Sequence, residues 1–223
     1  MILAIETSTQ VCSVALGQSP EEITEKRIQG KGVHSEYTFT FVRDLLEKYK
    51  TGISGLEAIL FSNGPGSYTG LRIGAAAIKG LLFRQEVPFY TLPTLFSFAV
   101  PFIDSGSVVI HAVIDARRQH LYYQRVEKDS DDALHLSKPA VCEIAGLEKE
   151  INKGDVIIGT GWDRMNPAVT GGTASHGTEA ISARNLIQGW NHPLVRPHFI
   201  KTNVETFEPE YLTLSQVNNT NFG

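Results

Sequence analysis

Cysteine is nearly missing from this sequence. Cys12 and Cys142 are the only two in 223 residues, and each sits among apolar neighbours. That excludes a disulfide framework and predicts two core thiols in a reducing, cytoplasmic setting. Metal-binding signatures are lacking too. The seven histidines are His34, His111, His120, His135, His176, His192 and His198. None pair at i, i+4 and no H-E-x-x-H occurs, so no metal site is expected. His111 falls in a predicted strand and reads as a satisfied sheet residue. Ser67 lies in G-P-G-S-Y, outside any G-x-S-x-G elbow, and no histidine neighbours it in sequence, which leaves only a base brought to it by the fold. No apolar run approaches the roughly 18 residues of a membrane helix. Ile2-Leu3-Ala4-Ile5 has no basic lead and meets Glu6 at once, so it is not read as a signal peptide. A cationic excess is missing as well. Lys and Arg number 20 against 24 Asp and Glu, a net charge of −4. That gives no electrostatic reason to bind nucleic acid alone.

The sequence is organised around Phe61 to Lys79, F-S-N-G-P-G-S-Y-T-G-L-R-I-G-A-A-A-I-K. Ala58-Ile59-Leu60-Phe61 reads as a short buried strand entering it. Asn63 to Ser67 break that strand, and a helix is predicted from about Tyr68 to about Arg84. A glycine turn between strand and helix presents backbone N–H groups to an anion. Gly64, Gly66 and Ser67 are therefore candidate phosphate-binding residues. Neither G-x-x-x-x-G-K-[ST] nor a dinucleotide fingerprint is present, and a tight turn closing helix on sheet accounts for the same residues.

The predicted helix has two apolar faces. At about 100° per residue, Gly70, Leu71, Gly74, Ala77, Ile78 and Leu81 share one, while Ile73, Ala76, Gly80 and Phe83 form another. Arg72 and Lys79 make one narrow charged stripe. A helix predicted from His34 to Lys50 also has apolar surface in excess, with Tyr37, Phe39, Phe41, Val42, Leu45, Leu46 and Tyr49 over an arc of about 200°. Two such helices predict a seam to another chain, with Tyr37, Phe41, Leu45, Gly70, Gly74 and Ala77 as candidates. Sandwiching within their own lobe is the alternative.

Two hairpins repeat one pattern. Ile2 to Ile5 and Val11 to Leu16 flank Glu6-Thr7-Ser8-Thr9-Gln10, a hydroxyl-rich turn that makes Thr7 and Ser8 further phosphate candidates. Val108 to Ile114 and His120 to Val126 flank Asp115-Ala116-Arg117-Arg118-Gln119. Ala4-Ile5-Glu6 matches Val113-Ile114-Asp115, and Gln10 matches Gln119, at a constant offset of 109 residues. This internal repeat predicts two related lobes with a cleft between them. Glu6 and Asp115 either face that cleft or cap their own turns. Further strands are predicted at Ile23 to Ile28, Pro88 to Thr91, Ala140 to Glu143 and Asp155 to Ile158. Helices are predicted at Pro93 to Val100, Ile144 to Ile151 and Ser182 to Trp190, with loop from Asn166 to Gly177. The domains expected are 1–104, carrying the seam helices, and 105–223, with a disordered tail from about 216.

Over Ala58 to Gly80 the sequence resembles the TsaB (YeaZ) family, the small subunit of bacterial tRNA threonylcarbamoyladenosine biosynthesis. Ile2 to Thr9, His34-Ser35-Glu36, Thr91 to Leu95, Asp115-Ala116-Arg117 and Pro209 to Leu212 extend the resemblance. After Gly161 it is loose, and Thr213 stands where an Arg is usual. The resemblance implies an α/β, actin/sugar-kinase-like (ASKHA) fold of two related, RNase H-like lobes. It implies no catalytic residue and no cofactor of its own, with ATP or ADP in the assembled complex. The implied partners are a second copy of the chain, the transferase TsaD and the ATPase TsaE; the modest net charge favours only indirect contact with tRNA, and no membrane is expected. TsaD acts on N6 of adenosine 37 in tRNAs reading codons that begin with A, and carries a metal-binding H-x-x-x-H. The matching positions here are Leu92 and Phe96. A small sugar-kinase-type phosphotransferase and a metallopeptidase-like relative are the alternatives.

Overall fold

A computed structural model describes residues 1–106 and 109–212. The first sheet starts with the expected hairpin. β1 (Ile2–Glu6) pairs antiparallel with β2 (Val11–Gly17), which pairs with β3 (Ile23–Gln29). β4 (Ala58–Ser62) lies parallel to β1 on its other side, and β5 (Phe89–Leu92) lies parallel to β4. β1 and β4 are apolar runs because both their faces are covered, which removes the alternation of a half-exposed strand.

One face meets α1 (Val33–Lys48) and α2 (Tyr68–Leu81). There Leu3, Ile5, Ile59 and Phe61 pack with Val42, Leu45, Leu71 and Ile78. The other face meets α3 (Thr94–Ala99) and α6 (Arg184–Asn191). Ile2, Ala4 and Leu60 share that core with Phe96, Phe98, Leu186 and Trp190.

The second sheet repeats the first arrangement. β6 (Val109–Asp115) and β7 (His120–Lys128) form the hairpin, and β10 (Val156–Gly159) lies parallel to β6. β8 (Leu134–Leu136) and β9 (Ala140–Glu143) both pair with β7. Ile110, Ala112 and Ile158 belong to the same core as Ile2 and Leu60, so α3 and α6 fill one hydrophobic layer between two sheets. His111 is a satisfied sheet residue as expected. It is fully buried, with Nδ1 3.1 Å from the Tyr123 hydroxyl and Nε2 3.0 Å from Asp155.

Several expectations are corrected. α2 stops at Leu81 because Arg84 adopts a left-handed φ of 56°, which a continuing helix excludes. The helix expected over Ile144 to Ile151 is the single turn α4 (Ile144–Leu147). The loop expected over Asn166 to Gly177 contains α5 (Pro167–Thr170) and β11 (Ala174–His176), which pairs parallel with β10. Both are too short to show a period. β12 (Ile200–Lys201) returns to pair antiparallel with β5, so part of the expected 105–223 lobe belongs to the first sheet. Val108, Thr213 and the tail from 216 lie outside the described residues.

Candidate functional site

The tips of the two hairpins and the glycine turn after β4 enclose a cleft of about 670 Å³. Ser8, Gly66 and Ser67 line it from the first lobe, and Asp115, Arg117, Thr160 and Asp163 line it from the second. Tyr68 and Tyr122 stand at its walls.

Both turn acids cap their own turns. Glu6 Oε1 accepts hydrogen bonds from Ser8 N at 2.6 Å and from Ser8 Oγ. Asp115 Oδ1 accepts from Arg117 N at 2.7 Å, the same two-residue reach, and pairs with Arg164. This is the Asx-turn logic of a short acid bonding the backbone two residues on. The environments differ. Glu6 is 1% exposed while Asp115 is exposed. Burial holds the Glu6 carboxyl above its usual range, against hydrogen bonds from Ser62 and Ser8 that pull it down.

The candidate phosphate residues separate. Ser8, Gly66 and Ser67 reach the cleft, but Thr7 and Gly64 do not. Thr7 is fully buried beneath α2, and Gly64 is buried beneath Glu210. The glycines serve close backbone approach. A Cβ on Gly66 would collide with the Ser8 carbonyl, and one on Gly64 with the Glu210 carbonyl. Three of the candidate N–H groups, those of Ser8, Gly64 and Ser67, are engaged within the chain. Ser8 N donates to Glu6, Gly64 N to Thr94 Oγ1 at 2.9 Å, Ser67 N to the Ser8 carbonyl at 2.6 Å and Gly70 N to Ser67 Oγ at 3.2 Å. Ser67 is thus the N-cap of α2. The C-terminal strap completes this packing. Asn63 Nδ2 donates to Glu210 Oε1, Glu210 N donates to the Asn63 carbonyl, and Phe207 sits edge-on to Phe61 and Phe89.

The seam candidates also separate. Leu45 and Ala77 are buried in their own lobe at 1% and 0% exposure. Gly70 and Gly74 face inward, against Thr7 and Phe61. These four are therefore not on the free surface, and the sandwiched alternative holds for them. Tyr37 and Phe41 are half-buried, with ring centroids 5.4 Å apart. The outward face is the second one read in the sequence. Ala76 and Gly80 are exposed, Ile73 is half-buried, and Phe83 is 69% exposed just beyond the helix end. Phe39 of α1, 52% exposed, joins them, with its ring 3.8 Å from where a Gly80 Cβ would stand. The signal for this face was its small residues and Phe83. Periodicity could not say which face met the sheet.

Leu92 and Phe96 are core residues, at 0% and 1% exposure. Among the described residues no group of three or more His, Cys, Asp or Glu side chains is placed to hold a metal ion. No helix among them is long and apolar enough to cross a membrane.

Two mixed sheets built on repeated hairpins, with helices between and a cleft at the hairpin tips, define a two-lobed α/β protein of the actin/sugar-kinase-like class. A family model described as TsaD, tRNA N6-adenosine threonylcarbamoyltransferase, matches residues 26–171. The tRNA threonylcarbamoyladenosine biosynthesis protein TsaB of Escherichia coli K12 is 29% identical over 168 residues, 72% of this chain and 71% of the relative. TsaB of Haemophilus influenzae is 28% identical over 171 residues, 72% of each chain. The solved structure of YeaZ from Pseudomonas aeruginosa superposes with a TM-score of 0.73 at 27% identity, covering 95% of this chain and 99% of that one. The chain belongs to the TsaB (YeaZ) family of tRNA threonylcarbamoyladenosine biosynthesis proteins.

Proposed function

We propose that the chain is a non-catalytic cytoplasmic partner that activates TsaD in threonylcarbamoylation of N6 of adenosine 37, in tRNAs reading codons that begin with A. One observation carries this reading. Phe39, Ala76, Gly80 and Phe83 form an exposed apolar face on α1 and around the end of α2, beside a groove of about 490 Å³ lined by Phe39, Leu46 and Leu81. Exposed aromatics beside small residues suit helix-on-helix docking, where small residues let the axes approach. One such face serves a second copy of the chain or TsaD, so homodimer and heterodimer compete. TsaE joins the pair, and ATP or ADP binds in the assembled complex rather than to this chain alone. The occupation of the Leu92 and Phe96 positions by core side chains supports a positioning role rather than a metal-assisted one.

The test is threonylcarbamoyl transfer to tRNA by the cognate TsaD, with TsaE and ATP, with and without this chain. Transfer that needs the chain, and a chain that transfers nothing without TsaD, supports the proposal. Equal turnover without the chain sinks it. The hydroxyl-lined cleft favours one other reading, a small phosphotransferase of sugar-kinase type. Titration of the isolated chain with Mg-ATP separates the two, since a kinase binds nucleotide unaided.

A further inference from the structure

The tip of the β6–β7 hairpin has an unusual composition for its geometry. Arg117 and Arg118 hold left-handed backbone angles, φ 71° and 52°. Two consecutive residues at positive φ in a hairpin turn favour Asn-Gly or Gly-Gly, and arginine at both stores strain. The strain is held in place on all sides. Asp115 accepts from Arg117 N, His120 N donates to the Arg117 carbonyl, Ala116 N donates to the His120 carbonyl, and Ile144 N donates to the Gln119 carbonyl. Both arginines are exposed. Arg164 is committed to Asp115, which leaves Asp163 as the other acid lining the cleft.

The facing lip is aromatic. Tyr68 is 58% exposed and lines the cleft. It is steadied by Tyr211, with centroids 4.9 Å apart, and by Arg72, whose Nη1 donates to its hydroxyl at 2.8 Å. Arg117 on one lip, with the exposed Arg118 next to it in the turn, and a supported aromatic ring on the other match the pattern that binds single-stranded nucleic acid, where cations track phosphates and rings stack on bases.

We propose that the mouth of the cleft binds a single-stranded RNA segment, with phosphates on Arg117 and Arg118 and a base against Tyr68. This rests on the tRNA-modifying role proposed above, and it replaces the indirect contact that the net charge suggests. A protein partner is the less favoured occupant, because an acidic protein surface would need the arginines but not the exposed ring.

The experiment measures tRNA affinity of the reconstituted TsaD-containing complex across a salt series. It compares wild type with the double variant Arg117→Asn/Arg118→Gly and with Tyr68→Ala. The double variant puts turn-compatible residues at both positive-φ positions, so it melts no lower than wild type. The magnitude of its slope of log affinity against log salt falls by about 1.4 to 1.8, for two phosphate contacts. Tyr68→Ala lowers affinity about tenfold at every salt concentration, with the slope unchanged. Unchanged slope and affinity in both variants overturn the inference. So does loss of complex assembly by the double variant in the absence of tRNA, which would assign the arginines to a protein contact. Failure of the wild-type chain to assemble with TsaD at all would instead sink the functional reading beneath it.

Discussion

The ring of Phe61 lies 2.6 Å from the point where a Cβ on Gly74 would stand. Nothing larger than hydrogen fits between α2 and β4 at that level. This decides the orientation of the central helix, because the glycine face must turn to the sheet and the Ala76–Gly80 face must turn away.

Gly74→Ala is therefore expected to destabilise the fold by about 1–3 kcal/mol through overpacking. Gly80→Ala is the control. Its nearest neighbour would be 3.8 Å away, and an alanine there is neutral or adds up to about 1 kcal/mol. Chemical denaturation midpoints of the two variants test the asymmetry. Equal midpoints would show that α2 is not seated as described.

Charge on the outer face separates folding from association. Phe83→Glu is expected to weaken self-association and binding to TsaD while changing stability by no more than about 0.5 kcal/mol. Gly74→Glu is expected to unfold the lobe. Sedimentation and thermal melting of both variants distinguish the cases. A stable, monomeric Gly74→Glu protein would return the seam to the inner face.

The strap after β12 is part of the core. Phe207 is 5% exposed, with its ring centroid 5.9 Å from that of Phe61 and 5.1 Å from that of Phe89. Phe207→Ala is expected to cost about 3–5 kcal/mol. Glu210→Ala, which removes one side-chain hydrogen bond to Asn63, is expected to cost about 1 kcal/mol. Urea unfolding of both variants checks the ranking.

Glu6 gives a pH dependence of defined sign. Burial raises its carboxyl above the ordinary glutamate range, so the folded state holds the proton to higher pH than the unfolded state does. Its contribution is full below about 4.5 and is lost as pH rises through the folded value. Glu6→Gln keeps an acceptor oxygen for Ser8 and removes the titration. Wild type should therefore lose stability relative to Glu6→Gln as pH rises from 4.5 toward neutrality. Parallel stability curves over that window would contradict the buried, proton-retaining carboxyl.

The local pattern of the chain carried much of this architecture. The apolar run at Ala58 to Phe61, the paired strand–acid–turn–strand segments and the long apolar helix were legible because strand and helix periods involve neighbours only a few residues apart. The two-lobed arrangement followed from the repeat, since two copies of one hairpin must find similar partners, while the fold class was what the resemblance to the TsaB family implied. Other features depended on contacts across the chain. Periodicity marked two apolar faces on α2, and the approach of Phe61 and Thr7 selected the one that is buried. Glycines at 64 and 66 are compatible with an anion or with a close carbonyl, and Ser8 and Glu210, one of them 146 residues distant from Gly64, filled the space. β12 has two residues and no period at all, so its place in the first sheet exists only through pairing with β5. A helix or strand is specified by what lies within a turn or two along the chain. Which surface it presents depends on what packs against it, and that partner is remote in sequence.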